Sequence, residues 1–187
     1  MGKSVFRLSG MALAIAVACG GLGCSSGGGS GDGGPKEANG AGAGSAAAEI
    51  SATYVTGEGP KSLADAKGKV VILDFWATYC GPCKKSFPKY QELVDQFGGD
   101  LAVIAVSVDD PGDVSEDKLK DFAKETGVKF TLLWDKEHKT ADAYKPPKMP
   151  TSFVLDKEGN VKLQHAGYES GEEAKIEIGR ASCRERV

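Results

Sequence analysis

Two long apolar segments with a helical pattern between them place the strongest constraint on the fold of this chain. Residues 70–76 read VVILDFW and residues 101–108 read LAVIAVSV, and such nearly continuous, β-branched runs are typical of strands buried on both faces of a sheet. Between them, apolar residues recur at helical spacing over residues 82–97, and Gly98 and Gly99 end the pattern. The segment therefore predicts a strand, helix, strand unit in a central sheet.

Further strands and helices are expected around this unit. Apolar residues at helical spacing before Gly127 indicate a second helix, and a short helix is expected around residues 140–144. The other expected strands are a short hairpin within residues 50–65 and single strands at residues 130–134, 152–155 and 161–165. The last two strands flank a turn at residues 156–160 and form an antiparallel hairpin. This order predicts an α/β sandwich, with a mixed central sheet flanked by helices.

The N-terminus predicts export. Lys3 and Arg7 precede an apolar stretch, residues 11–18, that is too short to span a bilayer and has the size of a signal-peptide core. The small residues before Cys24 resemble a lipobox, in which the cysteine is lipidated and becomes the mature N-terminus, and Cys19 is a second candidate. We therefore expect a lipoprotein-type signal peptide, with an ordinary secretory signal as the alternative.

With residues 1–23 as the signal peptide, composition divides the remainder into three parts. Residues 24–48 are mostly Gly, Ser and Ala, which bury little and predict a flexible linker. Residues 49–176 are expected to form the one folded domain. Residues 177–187 read EIGRASCRERV, which resembles the in-frame translation of a common sequencing adapter, so we expect a non-native tail. A last helix, beginning at Ser170, is then expected to be truncated.

Cys80 and Cys83 form a CGPC motif at the junction of the first apolar strand and its helix. A CxxC pair is either half of a zinc site or a dithiol that cycles with its disulfide. Zinc needs two further ligands, but the predicted domain has no other cysteine, and His138 and His165 stand alone. At a helix N-terminus, unpaired backbone N–H groups and the helix dipole stabilise a thiolate. The position therefore favours redox chemistry and predicts no metal and no cofactor.

The two cysteines are expected to have different roles. Cys80, at the helix entrance, is expected to be exposed and to attack a substrate disulfide. Cys83, one turn further along, is expected to be shielded and to resolve the mixed disulfide. Pro82 suits the first helical turn, where its missing backbone donor costs little.

Two motifs, DFWATYCGPC at residues 74–83 and MPTSFVLDKEG at residues 149–159, resemble those of the thioredoxin superfamily, and specifically of its exported TlpA and ResA branch. The resemblance extends over about residues 50–176. It implies a cis peptide bond before Pro150, which lies against the disulfide in that family. The alternative is an ordinary trans proline in a turn. It also implies that Met149 presents its backbone to an extended substrate.

The resemblance assigns roles to residues around the dithiol as well. Asp74 stands where thioredoxin has a buried acid that helps to move the proton of the inner cysteine, and an acid inside an apolar strand has a raised pKa. The alternative for Asp74 is a simple contact with a lysine at the sheet edge. Trp76 and Tyr79 are expected to flank the dithiol as substrate-contact surface, with core packing as the alternative for Trp76. Ser86 departs from the glutamate that ResA-like members often have at this position.

These features predict a thiol:disulfide oxidoreductase of the cell envelope, anchored through lipid on Cys24 and facing the periplasm or exterior. The Gly81-Pro82 dipeptide resembles that of thioredoxin, which implies a potential nearer thioredoxin's roughly −270 mV than DsbA's roughly −120 mV and favours reduction. The expected partners are disulfides of exported proteins, for example apocytochrome c, and a membrane-bound electron donor. The alternatives are a disulfide oxidase or isomerase, a thiol peroxidase, a copper or zinc chaperone, and a thioredoxin-fold binding lipoprotein without turnover. A net charge of −3 without a basic stripe argues against nucleic acid as a partner.

Overall fold

The two apolar segments form adjacent inner strands of one six-stranded sheet. The computed structural model describes residues 43–168. Its strands are β1 (Thr53–Thr56), β2 (Val70–Trp76), β3 (Leu101–Ser107), β4 (Thr131–Trp134), β5 (Thr151–Leu155) and β6 (Val161–Ala166). Its helices are α1 (Gly81–Phe97), α2 (Glu116–Thr126) and α3 (Lys139–Tyr144), with a 3-10 turn at Gly98–Asp100. The strand order is β1-β4-β3-β2-β5-β6.

The sheet is mixed, as the sequence predicts. Strand β2 pairs in parallel with β3 and β3 in parallel with β4, because each connection crosses the sheet through a helix. Strand β5 pairs antiparallel with β2 and, through the expected hairpin, with β6. The short hairpin expected within residues 50–65 is wrong: β1 is a single strand, and it pairs antiparallel with β4 at the edge of the sheet.

Local signals at the helix ends explain where α1 and α2 begin and end. The Ser115 hydroxyl accepts a hydrogen bond from the backbone N–H of Lys118, at 3.4 Å, and caps α2. Gly127 ends α2 with φ of +71°, and Gly98 ends α1 with φ of +52°, a region of backbone conformation that glycine adopts without steric cost. Pro88 lies inside α1, so one backbone donor is missing from this helix.

Side chains of β2 alternate between two apolar layers. Ile72 and Trp76 belong to the layer beneath α1 and α2, here called the α1 layer. Leu73 and Phe75 belong to the layer on the opposite face, which includes residues of α3. Because successive residues of a strand face opposite sides, Asp74 lies on the same face as Ile72 and Trp76, beneath α1. The fold therefore places a carboxyl group in an apolar layer.

Residues at the N-terminal edge of the described part contact the far end of the β5–β6 hairpin. The backbone N–H of Gly44 donates to the carbonyl of Val161 at 2.6 Å, and that of Ala47 donates to the carbonyl of Gly159 at 2.9 Å. The Tyr144 hydroxyl donates to the carbonyl of Ala48 at 2.6 Å. These contacts begin several residues before the domain boundary expected at residue 49.

Several predictions concern residues outside the described part. They are the signal peptide of residues 1–23, the lipidated cysteine (Cys24 or Cys19), most of the linker, the helix from Ser170 and the tail of residues 177–187. Within residues 43–168, no helix has the length and apolar character needed to cross a membrane.

Candidate active site

The N-terminus of α1 carries the redox pair. Cys80 is the N-cap residue of this helix, and Cys83 lies in its first turn. The two form a disulfide, with their Cα atoms 5.3 Å apart. The backbone N–H of Cys83 points at the sulfur of Cys80, at an N–S distance of 3.2 Å. When the disulfide is reduced, this N–H and the dipole of α1 stabilise a thiolate at Cys80.

Both cysteines are buried in this disulfide form, so the expected exposure of Cys80 is wrong here. Cys80 is 6% exposed and Cys83 is fully buried. Cys80 is thus less exposed than the sequence led us to expect, because in the disulfide form its sulfur is bonded to a buried partner. The neighbours on either side are accessible: Tyr79 is 78% exposed, and Pro82 is exposed. A partner that approaches Cys80 therefore meets Tyr79 and Pro82 first.

Trp76 packs in the core, which is the second of the two roles that the sequence left open for it. Its side chain is fully buried, and its ring lies 4.5 Å from that of Phe122 and 5.2 Å from that of Phe87, measured between centroids. Contacts of this kind stabilise a core. Trp76 thus packs beneath α1 and α2 and does not form part of the accessible surface.

The segment before β5 lies at the same end of the sheet as the disulfide. The peptide bond between Met149 and Pro150 is cis, as the family resemblance implies. Thr151 is the register partner of Phe75 in the antiparallel β2–β5 pair, so Pro150 lies beside the end of β2 that leads to Cys80. Pro150 is buried and Met149 is half-buried.

Asp74 is fully buried and bonded to two hydroxyl-bearing residues. The Ser152 hydroxyl donates to its Oδ1 at 2.6 Å, and the Tyr90 hydroxyl lies 3.5 Å from the same oxygen. Among the described residues, no group hydrogen-bonds Oδ2. Burial raises the pKa of Asp74 to about 7, although the hydrogen bonds from Ser152 and Tyr90 act to lower it. The predicted rise is confirmed, and these partners are hydroxyls where the alternative expected a lysine.

A second buried carboxylate, Asp109, holds the loop that leads to Cys80, and sequence reasoning missed it. Its Oδ1 and Oδ2 accept hydrogen bonds from the backbone N–H of Thr78, at 3.1 and 2.9 Å. Oδ1 also accepts from the Thr78 hydroxyl at 2.7 Å, and Oδ2 from the Ser107 hydroxyl at 2.8 Å. In the sequence, Asp109 appears in an acidic turn after a strand, and only the fold brings it to Thr78.

We expect Asp109→Ala to destabilise the protein by about 2 to 4 kcal/mol, because it leaves the donors of half-buried Thr78 and buried Ser107 without their acceptor. Urea unfolding of the oxidised protein measures this change. Asp110→Ala is the matched control, since Asp110 is the adjacent exposed residue, and its expected effect is below about 1 kcal/mol. Equal losses in the two variants would show that Asp109 does not hold the loop.

Within residues 43–168, no three or more His, Cys, Asp or Glu side chains are grouped so that they could hold a metal ion.

Comparisons with known proteins agree with this arrangement. The AhpC/TSA family model matches residues 43–164, which is more than half of the chain. The chain belongs to the AhpC/TSA family. This AhpC/TSA chain is 37% identical over 121 residues to thioredoxin-like protein YneN of Bacillus subtilis, covering 65% of this chain and 69% of that protein. It is 36% identical over 118 residues to thiol-disulfide oxidoreductase ResA of Bacillus thuringiensis (strain Al Hakam), covering 62% and 66%.

A solved structure supports the same relationship. The crystal structure of a candidate thiol:disulfide interchange protein DsbE from Chlorobium tepidum aligns with a TM-score of 0.66 and 31% identity, over 75% of this chain and 96% of that chain. The thioredoxin-like fold predicted from the sequence is therefore confirmed. With its Cys80–Cys83 pair, this AhpC/TSA family member is a thiol–disulfide oxidoreductase of the thioredoxin type.

Proposed function

We propose that this chain reduces disulfide bonds of exported proteins while it is anchored to a membrane, outside the cytoplasm. The observation that carries the proposal is the Cys80–Cys83 disulfide at the N-terminus of α1. Its accessible neighbour Tyr79 and the cis-Pro150 segment at the same end of the sheet support a surface for an extended polypeptide. A protein disulfide is therefore the proposed substrate.

The proposed reaction begins with the Cys80 thiolate, which attacks one sulfur of the client disulfide. This forms a mixed disulfide between Cys80 and the client, and the other client sulfur leaves with the electron pair. The Cys83 thiol then loses its proton and attacks the Cys80 sulfur, which forms the Cys80–Cys83 disulfide and releases the second client sulfur as a thiolate. The client gains two electrons from the enzyme, one proton that comes from Cys83 and one proton from solvent, and the enzyme dithiol is oxidised.

Asp74 is the proposed acceptor for the proton of Cys83. Both residues face the α1 layer, Asp74 from β2 and Cys83 from α1. A pKa raised to about 7 by burial lets the carboxyl group take up and release a proton near neutral pH. Asp74 passes this proton on to the departing client thiolate or to solvent.

The proposed contact surface for the client consists of Tyr79, Pro82 and Met149. Pro150 is buried and contributes by placing the backbone of this segment next to them. Tyr79 and Pro82 are the accessible side chains next to Cys80, and Met149 offers backbone groups before β5. An extended client segment that adds its backbone to this end of the sheet would bind without sequence-specific side-chain pockets. This fits a reductase with several clients, among which we include apocytochrome c.

The proposed reaction also needs an electron donor and a location in the cell. We propose that Cys24 carries the lipid anchor, or Cys19 in its place, and that a membrane-bound donor reduces the Cys80–Cys83 disulfide after each turnover. The N-terminal pattern of Lys3, Arg7 and residues 11–18 supports export.

The reduction potential of the Cys80–Cys83 pair tests the direction of the reaction. We expect a value below about −230 mV in glutathione and dithiothreitol buffers, which suits a reductase that needs a dedicated donor. The measurement requires Cys19, Cys24 and Cys183 to be replaced by serine, so that only the active-site pair titrates. A value above about −150 mV would overturn the proposal in favour of an oxidase or isomerase. Thiol-dependent turnover of peroxide at a higher rate than of protein disulfides would favour a thiol peroxidase.

A further inference from the structure

Asp74 is hydrogen-bonded through Ser152 to Tyr90 beneath α1, the helix that also carries Cys83. The Ser152 hydroxyl donates to Asp74 Oδ1 at 2.6 Å. A serine hydroxyl has a single proton, so the 2.7 Å contact between Ser152 and Tyr90 is a bond in which Tyr90 donates. The Ser86 hydroxyl, one turn along α1 from Cys83, donates to the backbone carbonyl of Cys83 at 3.2 Å. All of these side chains are fully buried.

Strand register places Ser152 opposite Asp74. The two are Cα partners in the antiparallel β2–β5 pair, so both side chains stand on the same face of the sheet. Tyr90 reaches them from α1, which covers that face. Three elements, β2, β5 and α1, therefore hold Asp74, Ser152 and Tyr90 in contact.

We propose that Ser152, held by Tyr90, is a positioning residue that occupies Oδ1 of Asp74 and leaves Oδ2 as the oxygen that exchanges the proton with Cys83. This inference rests on the proposed reductase reaction and deepens it. In the resolving step, the Cys83 S–H bond breaks and its proton passes to Oδ2. The Cys83 sulfur then bonds to that of Cys80, and the client sulfur leaves with the electron pair.

The two oxygens of Asp74 support this assignment by their different surroundings. Oδ1 accepts from Ser152 at 2.6 Å, and a hydrogen bond to the ionised form favours it. The Tyr90 hydroxyl, whose single proton is directed at Ser152, lies 3.5 Å from the same oxygen. Oδ2 has no hydrogen-bond partner among the described residues, although a buried carboxyl oxygen without a partner is costly. An oxygen in this state is free to bind a proton without breaking an existing bond.

Few other titratable groups face Asp74. Tyr90 contacts Asp74 from α1, and Cys83 lies in the same α1 layer. The residue paired with Asp74 on β3 is Ala105. His165 is the register partner of Ser152 on β6, and Tyr168, after β6, interacts with Tyr90. The titration of Asp74 is therefore measured in the oxidised protein, in which Cys83 does not titrate. The titration of His165 is measured in the same experiment.

The test is the titration midpoint of Asp74, followed by carbon-13 NMR of its carboxyl group in the oxidised full-length chain. Ser152→Ala removes a donor that favours the carboxylate, so we expect the midpoint to rise by about one pKa unit, which is a tenfold change in the proton equilibrium. Tyr90→Phe is expected to shift it less, in the same direction. Ser152→Thr retains the hydroxyl and should restore the wild-type midpoint.

Kinetics provide the second readout. The pH at which resolution of a mixed disulfide reaches half of its maximal rate should rise with the midpoint in Ser152→Ala. Ser107→Ala is the matched control, because it removes a buried hydroxyl that bonds Asp109 and is expected to reduce stability without moving the Asp74 midpoint.

The positioning role is overturned by an unchanged Asp74 midpoint and pH profile in Ser152→Ala, or by an equal shift in Ser107→Ala. If Ser152→Ala does not fold, the other two variants provide the test. A raised Asp74 midpoint in Tyr90→Phe with a wild-type midpoint in Ser152→Thr supports the positioning role, and an unchanged midpoint in Tyr90→Phe overturns it. A wild-type protein that fails to reduce any protein disulfide overturns the proposed function, while the NMR titration still reports on Ser152.

Discussion

Cys80→Ser will abolish catalytic disulfide reduction, with a loss of at least about 1000-fold relative to the unsubstituted pair. A serine hydroxyl at the helix N-terminus remains protonated at neutral pH and is a far weaker nucleophile than a thiolate. A serine at position 80 also cannot form a disulfide with Cys83, so the catalytic cycle cannot be completed even if the substrate binds normally. The measurement is the rate of reduction of a peptide with one disulfide, with dithiothreitol as the electron source.

Cys83→Ser separates the two chemical roles. Its Cys80 still attacks the client, but no thiol is available to resolve the product, so a stable mixed disulfide should accumulate and appear as a mass increase equal to the client. Cys80→Ser should form no such adduct, since Cys83 is fully buried. The reference protein has Cys19, Cys24 and Cys183 replaced by serine and should retain full activity. An adduct at Cys83 in Cys80→Ser would reverse the assigned roles.

The parts of the fold that sequence patterns predicted well are those determined by neighbouring residues. The apolar run of β2 and the glycine after α1 are local signals, because burial on both faces and a C-cap with positive φ leave a direct mark on composition. The positions of Cys80 and Cys83 followed from the same junction. These elements need no knowledge of distant partners.

The parts that were missed depend on pairing between distant segments. Strand β1 was expected to pair within its own hairpin, but it pairs with β4, and nothing in its short sequence specifies that partner. Ser152 lies opposite Asp74 only because of the β2–β5 register, and a slip of one residue would place it on the other face. The bonds of Asp109 to Thr78 have the same origin, since they join loops at the ends of two strands.

Trp76 shows a different limit of sequence reasoning. A tryptophan a few residues before a redox cysteine has an apolar body that suits either a binding surface or a core. Its position on β2 decides the matter, because the alternation of that strand directs Trp76 into the α1 layer. Tyr79, in the loop after β2, escapes this alternation and is exposed. The loop therefore supplies the surface, and the strand supplies the packing beneath it.

The buried carboxyl group of Asp74 makes the protein's stability depend on pH in an unusual direction. Its pKa in the folded state is about 7, against an ordinary value of 3.8. Between these values the folded protein holds a proton that the unfolded chain has released. The free energy of unfolding therefore falls as pH rises through this window, because the folded state binds more protons than the unfolded one. Above pH 7 both states are ionised, and the full cost of the buried charge is present.

Asp74→Asn removes this dependence, because an amide does not titrate. We compare the free energy of unfolding of the variant with that of the wild type at each pH. This difference should be about 4 kcal/mol more favourable to the variant at pH 8 than at pH 4, which is the energy equivalent of the pKa shift. Any constant cost of placing an amide beside Ser152 is the same at both pH values and does not affect how the difference changes with pH. Urea unfolding of the oxidised proteins at the two pH values measures it.

Asp121→Asn is the matched control for charge removal, since the Asp121 side chain is 70% exposed on α2 and surface pairs contribute little to stability. Its effect should be small and nearly the same at both pH values. The outcome that contradicts the prediction is a free-energy difference between Asp74→Asn and the wild type that is the same at pH 4 and pH 8. It would mean that the Asp74 carboxyl group ionises as easily in the folded protein as in the unfolded chain. Asp74 would then remain charged throughout the catalytic cycle and could not accept the proton of Cys83, so the same pair of unfolding curves also decides whether this acid can act as the proposed base.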